Sequence, residues 1–131
     1  MAGLQNTLNQ PQLYRDEHLF IDFPQQAAVL DSQRMTLTRK EYDLLALLVR
    51  HAGEIVPREA LLMRVWGYGS EIRTRTLDVH IRRLRQNLEP HGKVYIETVF
   101  ATGYRFQPFV RKRTEPTALA AGSAEPLRAI M

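Results

Sequence analysis

The sequence predicts one α+β domain: a small antiparallel sheet first, three helices in the middle and a β-hairpin at the end. Three observations carry this. Short strand-like runs at residues 12–15, 18–23, 27–31 and 34–37 are separated by turn-type breaks such as Pro24-Gln25 and Asp31-Ser32-Gln33. From Thr38 to Leu88 the apolar residues recur at helical spacing. After Pro90-His91-Gly92, two more strand-like runs, 93–100 and 104–109, flank Ala101-Thr102-Gly103. A chain of 131 residues has room for one domain with a core of its own.

Each element has a local reason. Residues 1–11 are polar and aperiodic and read as a flexible linker. Thr38 and Glu41 form a capping box, in which each side chain satisfies an orphan amide at the helix start. Tyr42, Leu45 and Leu48 continue that helix on one face, and Gly53 stops it. A second helix is expected over 57–65, with Pro57 at its start, where a missing N–H costs nothing. Leu61, Leu62, Val65 and Trp66 give it a buried side, and Gly67 and Gly69 end it. A loop leads to a third helix over 75–88. Gly103 is expected to supply a positive φ in the hairpin loop. The domain is set at 12–110, and the Ala-, Pro- and Glu-rich residues 111–131 read as a disordered tail.

Charge singles out the third helix. The chain holds 18 Lys+Arg against 14 Asp+Glu, a net charge of +4. Residues 73–85 alone hold five arginines against one acid, Asp78, which equals the whole excess. Charge gathered this way makes a local field that attracts a polyanion. With Leu77 at 0° and about 100° per residue, Ile81 falls near 40°, Leu84 near 340° and Leu88 near 20°. This narrow stripe faces the core. The opposite face collects Arg75, Val79, Arg82, Arg83 and Gln86, with Thr76 at its edge and Asp78, His80 and Arg85 on the flanks. A solvated face usually mixes acids with bases, and this one does not. Arg matches guanine O6 and N7, Gln matches adenine and Val a thymine methyl, so the inventory suits a DNA major groove.

These residues resemble the OmpR/PhoB-type winged-helix effector domain of bacterial two-component response regulators. The matching strings are LTRKEYDLLALL (37–48), PREALLMRVWG (57–67), RTLDVHIRRLRQNL (75–88) and IETVFATGYRF (96–106), in that order. The resemblance implies a winged helix-turn-helix with an N-terminal antiparallel four-stranded sheet, three helices and a C-terminal β-hairpin wing. It implies sequence-specific binding of double-stranded DNA for transcription regulation, with the third helix in the major groove and residues 94–109 at the minor groove. By resemblance Val79 and Arg83 contact bases, with Thr76 and Asp78 nearby, and Arg75, His80 and Arg82 reach phosphates; Gln86 joins this DNA-binding set from its place on the helix face. Trp66 touches the backbone from the end of the second helix. Thr98, Thr102 and Tyr104 bind phosphate from the wing, beside Phe100. The loop Gly67, Tyr68, Gly69, Ser70, Glu71, Ile72, Arg73 faces RNA polymerase. The resemblance also implies a phosphoacceptor receiver domain, normally in the same chain but not found among these residues, as well as a monomer alone and a tandem dimer on direct-repeat DNA.

Two departures matter. The family usually places Arg-Gly where this chain has Phe100-Ala101. That removes the charge sent into the minor groove. Phe100 then either wedges apolar surface at the groove edge or folds back beside Tyr104 or Phe106. Pro57 also replaces the usual Ser or Thr helix cap.

Other classes find less support. The chain has no Cys, so a thiol nucleophile, a disulfide framework and a Cys-ligated zinc are excluded. His18, His51, His80 and His91 are scattered without metal-ligand spacing, and no P-loop, GxSxG or HExxH string occurs. No enzyme, cofactor or metal is expected. No apolar run approaches a membrane span and no signal peptide is read, so the cytoplasm is the expected location. A winged helix serving as a protein-interaction module remains the alternative, and salt-dependent DNA binding separates the two.

Overall fold

The computed structural model describes residues 12–67 and 74–110. The element order is β1 (Leu13–Arg15), β2 (Leu19–Asp22), β3 (Ala27–Leu30), β4 (Gln33–Arg34), α1 (Arg39–Arg50), β5 (Ile55–Pro57), α2 (Arg58–Trp66), α3 (Thr74–Asn87), α4 (Gly92–Tyr95), β6 (Ile96–Val99) and β7 (Gly103–Phe106). The expected linker and tail lie outside the described residues.

The first four strands form an antiparallel meander in the order β1-β2-β3-β4. Leu19 and Ile21 of β2, with Ala28 and Leu30 of β3, turn inward, as period-2 alternation requires. Strand β4 is shorter than the run 34–37 suggests. Met35 still donates to Ala28 O at 2.9 Å, but the chain then leaves the sheet to reach the Thr38 cap.

The capping box forms as read: Thr38 N donates to Glu41 Oε1 (3.0 Å) and Glu41 N to Thr38 Oγ1 (3.2 Å). Helix α1 buries Tyr42, Leu44, Leu45, Leu48 and Val49, and Gly53 follows with φ 84°. Pro57 is not the first helical residue. It is the extended N-cap of α2 and also the last residue of β5, with no side-chain cap bond. Strand β5 itself is new. It pairs with β7, so the C-terminal sheet has three strands in the order β5-β7-β6. The expected strand start at 93–95 is instead the short helix α4, whose last residue, Tyr95, is fully buried and stacks on Phe106 at 5.4 Å.

Gly103 has a different task from the one its position suggested. Its φ is not positive; Ala101, with φ 63°, takes the left-handed position of the hairpin turn. Gly103 is required because a Cβ there would lie 2.1 Å from Val56 O on the paired strand β5. The hairpin's centre therefore depends on close backbone approach.

One core joins these layers, built from both sheets and all three long helices. At its N-terminal edge, Asp16 gathers donors from distant segments. It accepts from the Tyr14 hydroxyl, from Tyr95 Oη (2.6 Å) and from the amides of His18 (2.9 Å), Leu19 (2.9 Å) and Phe109 (3.1 Å). Burial pushes its carboxyl up, but the bonds from Tyr14, Tyr95 and the two amides of its own turn outweigh this and hold it below the usual range. Beside it the histidines depart from expectation. His18 and His91, 73 positions apart in sequence, stack with centroids 3.9 Å apart, and Asp31 reaches both. Among the described residues no helix is long and apolar enough to cross a membrane.

Candidate nucleic-acid interface

Helix α3 is positioned by its apolar stripe. Leu77, Ile81, Leu84 and the following Leu88 are all buried, as the angular reading requires. The stripe fixes which way the other side chains point. Arg75, Arg82, Arg83 and Gln86 are exposed, Val79 is 38% exposed, and Thr76 and His80 are half-buried. Arg75, Thr76, Val79, His80 and Arg83 together line a shallow depression of about 310 Å³. The side chains of Arg82, Arg83 and Gln86 have no hydrogen-bond or ion-pair partner among the described residues. A cluster of unpaired guanidinium groups around a depression has its donors turned to solvent and available to an anionic partner.

The flank of α3 that faces the wing is arranged differently. Asp78 forms an ion pair with Arg58, at the start of α2, and accepts from Tyr104 Oη of β7 at 2.5 Å. This one carboxylate therefore ties α2, α3 and the wing together. The hydrogen bond that Arg58 donates to Asp78 raises the Arg58 pKa, and burial with the bond to the same Asp78 raises that of Tyr104. Arg85 donates through Nε (3.1 Å) and Nη2 (2.8 Å) to Ile96 O, and through Nη2 to Thr98 Oγ1 (2.8 Å). Burial lowers its pKa, yet the guanidinium stays charged at neutral pH. Arg58 and Arg85 also lie 5.3 and 5.8 Å from the Tyr104 ring.

Two of the expected DNA contacts have partners within the fold. Tyr104 is buried and its hydroxyl donates to Asp78. Asp78 is exposed, and its carboxylate is shared by Arg58 and Tyr104. Thr98 remains exposed, with its oxygen held by Arg85. Thr102 is exposed at the turn; its hydroxyl lies 3.4 Å from Phe100 O, and its carbonyl accepts from Arg58 N at 3.1 Å.

Phe100 does not fold back on the hairpin. It is 91% exposed, the most exposed large apolar side chain described. Trp66 sits half-buried at the end of α2, edge-on to His80 with centroids 5.0 Å apart. His80 Nδ1 is 2.9 Å from Thr76 O, which makes Nδ1 the protonated nitrogen and turns Nε2 away from that bond. Lys40 caps the last turn of α2 by donating to Val65 O at 2.8 Å. Of the loop expected to face a polymerase, Gly67 is described, with φ 101°; Tyr68, Gly69, Ser70, Glu71, Ile72 and Arg73 lie outside the described residues.

Arg58 is the residue of this region that sequence reasoning missed. Its partner lies 20 positions away, and no local pattern marks it.

Comparison with known proteins agrees with this geometry. The family described as "Transcriptional regulatory protein, C terminal" matches residues 32–106. The response regulator ArlR of Staphylococcus saprophyticus is 44% identical over 87 residues, covering 66% of this chain and 40% of that protein. The chain thus spans about two fifths of the length of this curated relative. Response regulator DrrB, an OmpR/PhoB homologue from Thermotoga maritima, superposes with a TM-score of 0.72 at 30% identity, over 81% of this chain and 49% of that one. The RstA DNA-binding domain of Klebsiella pneumoniae, solved in complex with the RstA box, gives a TM-score of 0.65 at 33% identity, over 76% of this chain and all of that one.

Proposed function

The chain belongs to the family of transcriptional regulatory protein C-terminal domains of OmpR/PhoB type, and from that premise we propose that it binds duplex DNA sequence-specifically to regulate transcription. The observation that carries this is the outward face of α3, where Arg75, Thr76, Val79, His80 and Arg83 gather around one depression. Helix α3 has 14 residues, so at ~1.5 Å per residue it is ~20 Å long, enough to lie along a major groove. Arg83 and Val79 read base edges, with Thr76 and Gln86 beside them. Arg75, Arg82 and His80 hold phosphates. Trp66 stands edge-on to His80 and steadies it. At the wing, Phe100, Thr98 and Thr102 face the adjacent backbone and minor groove.

The domain proper is residues 12–110. The receiver domain, the contact of residues 67–73 with RNA polymerase, and head-to-tail pairing on direct repeats are proposals for the longer protein and its assembly. A monomer in isolation follows from the same reading, and sedimentation without DNA checks it.

The test is the salt dependence of duplex binding. Each phosphate neutralised contributes ~0.9 to the slope of log affinity against log salt. Arg75 and Arg82 on phosphates predict a slope of about −2 or steeper. A slope near zero, or no duplex binding at low salt, contradicts the reading.

A further inference from the structure

A cluster of two histidines and an aspartate lies beyond the C-terminal end of α3, outside the proposed DNA-binding face. His18 lies in the β1–β2 turn, Asp31 in the β3–β4 turn and His91 just before α4. His18 Nδ1 is 2.6 Å from Asp31 Oδ1, and His91 Nε2 is 3.4 Å from Asp31 Oδ2. One ligand atom from each of the three residues falls within 4.8 Å of the other two. Around a tetrahedral Zn²⁺ with bonds of ~2.0–2.1 Å, neighbouring ligand atoms are separated by ~3.4 Å. The three side chains are therefore already at the scale of one ion's coordination shell.

We propose that His18, Asp31 and His91 form a binding site for a divalent transition-metal cation of the zinc type, with its fourth position open to water. The chemistry of the donor set selects the ion. Two imidazoles with one carboxylate suit zinc and its neighbours, whereas Ca²⁺ and Mg²⁺ require oxygen ligands.

The surroundings are fixed and lopsided, as such a site needs. Phe109 stands edge-on to both rings, 4.5 Å from His18 and 5.4 Å from His91, and forms an apolar wall. The turn bearing His18 is held by its own amide and that of Leu19 on Asp16, and Asp31 N donates to His18 O at 2.8 Å. A cleft lined by Arg15, Glu17, His18, Asp31 and Ser32 opens beside the cluster and gives the ion an entry path. The three ligands come from three segments, so a bound ion would clamp the N-terminal sheet to the turn that follows α3.

The experiment titrates zinc chloride, in a non-chelating buffer, into the full chain carrying no affinity tag. Calorimetry should show one ion per chain, and the melting temperature should rise with zinc concentration. Asp31→Asn and His91→Gln should each weaken binding at least about tenfold, the loss expected when a metal site is damaged. His51→Ala, which removes a surface histidine paired with Glu54, should change nothing. Cobalt(II) reads the geometry independently of how stable the variants are. A strong visible ligand-field band from the wild-type chain supports four-coordination by these residues. The proposal is overturned by no saturable zinc binding, by binding that survives both Asp31→Asn and His91→Gln, by loss of binding on His51→Ala instead, or by a cobalt spectrum that stays that of the aqua ion.

Discussion

Two faces of helix α3 carry arginines, and the two have opposite fates. On the outward face Arg82 and Arg83 are exposed, and their guanidinium groups have no partner among the described residues. Two positions on, Arg85 is half-buried and spends its donors on Ile96 O and Thr98 Oγ1. A rotation of about 200° around the helix separates a residue kept for a ligand from one used in the fold. Charge counting alone treats all of them as one basic patch. Partner counting divides them, and it leaves Asp78, the one acid of the stretch, on the structural side with Arg58 and Tyr104.

This division can be broken at either face, and the buried one should give the larger effect on stability. Arg85→Ala removes charge-assisted hydrogen bonds and strands the Ile96 carbonyl, so it should cost roughly 2–3 kcal/mol in chemical denaturation. DNA binding should weaken only through the displaced wing. If Arg85→Ala melts like the wild type but loses its salt slope, Arg85 belongs to the outward set.

The wing tip sharpens the comparison with a smaller effect. Phe100 is 91% exposed, so Phe100→Ala should change stability by less than about 0.5 kcal/mol. If Phe100 touches DNA, that variant weakens binding. Phe100→Arg should strengthen binding and steepen the salt slope by up to about one unit, the share of one added phosphate contact. If Phe100→Arg alters neither affinity nor slope, the wing does not approach the minor groove.

The smallest effect is next door. Ala101 holds φ 63°, a conformation that costs an L-residue ~1–2 kcal/mol. Ala101→Gly relieves it, less the added entropy of glycine, for a gain of about 0.5–1 kcal/mol in thermal unfolding. A loss of stability there would mean that the turn is not strained.

What was legible in the sequence was local. The capping box of Thr38 and Glu41 and the stripe Leu77–Ile81–Leu84–Leu88 depend on spacings of three and four, which the chain itself encodes. The outward face of α3 followed from the same angles. What was hidden depends on pairing across distance. Strand β5 is three residues ending in a proline, too short to show a period, and it exists because β7 accepts it. Gly103 was recognised as necessary for the wrong reason, since the strand that crowds it was not foreseen. The link from Asp78 to Arg58 and Tyr104 spans 20 and 26 positions, and the meeting of His18 with His91 spans 73. The strings 57–67, 75–88 and 96–106 contain Arg58, Asp78 and Tyr104, but nothing in them displays that the three meet.

The measurement that tests the account most directly is selection of bound duplexes from a random pool, at two salt concentrations, with the wild-type chain, Arg83→Ala and Arg82→Ala. The wild type should enrich a defined motif at both. Arg83→Ala should relax preference at one base position and cost about 1–3 kcal/mol on the selected site. Arg82→Ala should weaken all sequences alike and keep the motif. The result that would contradict the account is equal loss of affinity in both variants with an unchanged motif, because Arg83 would then hold phosphate and the base-reading face of α3 would lie elsewhere.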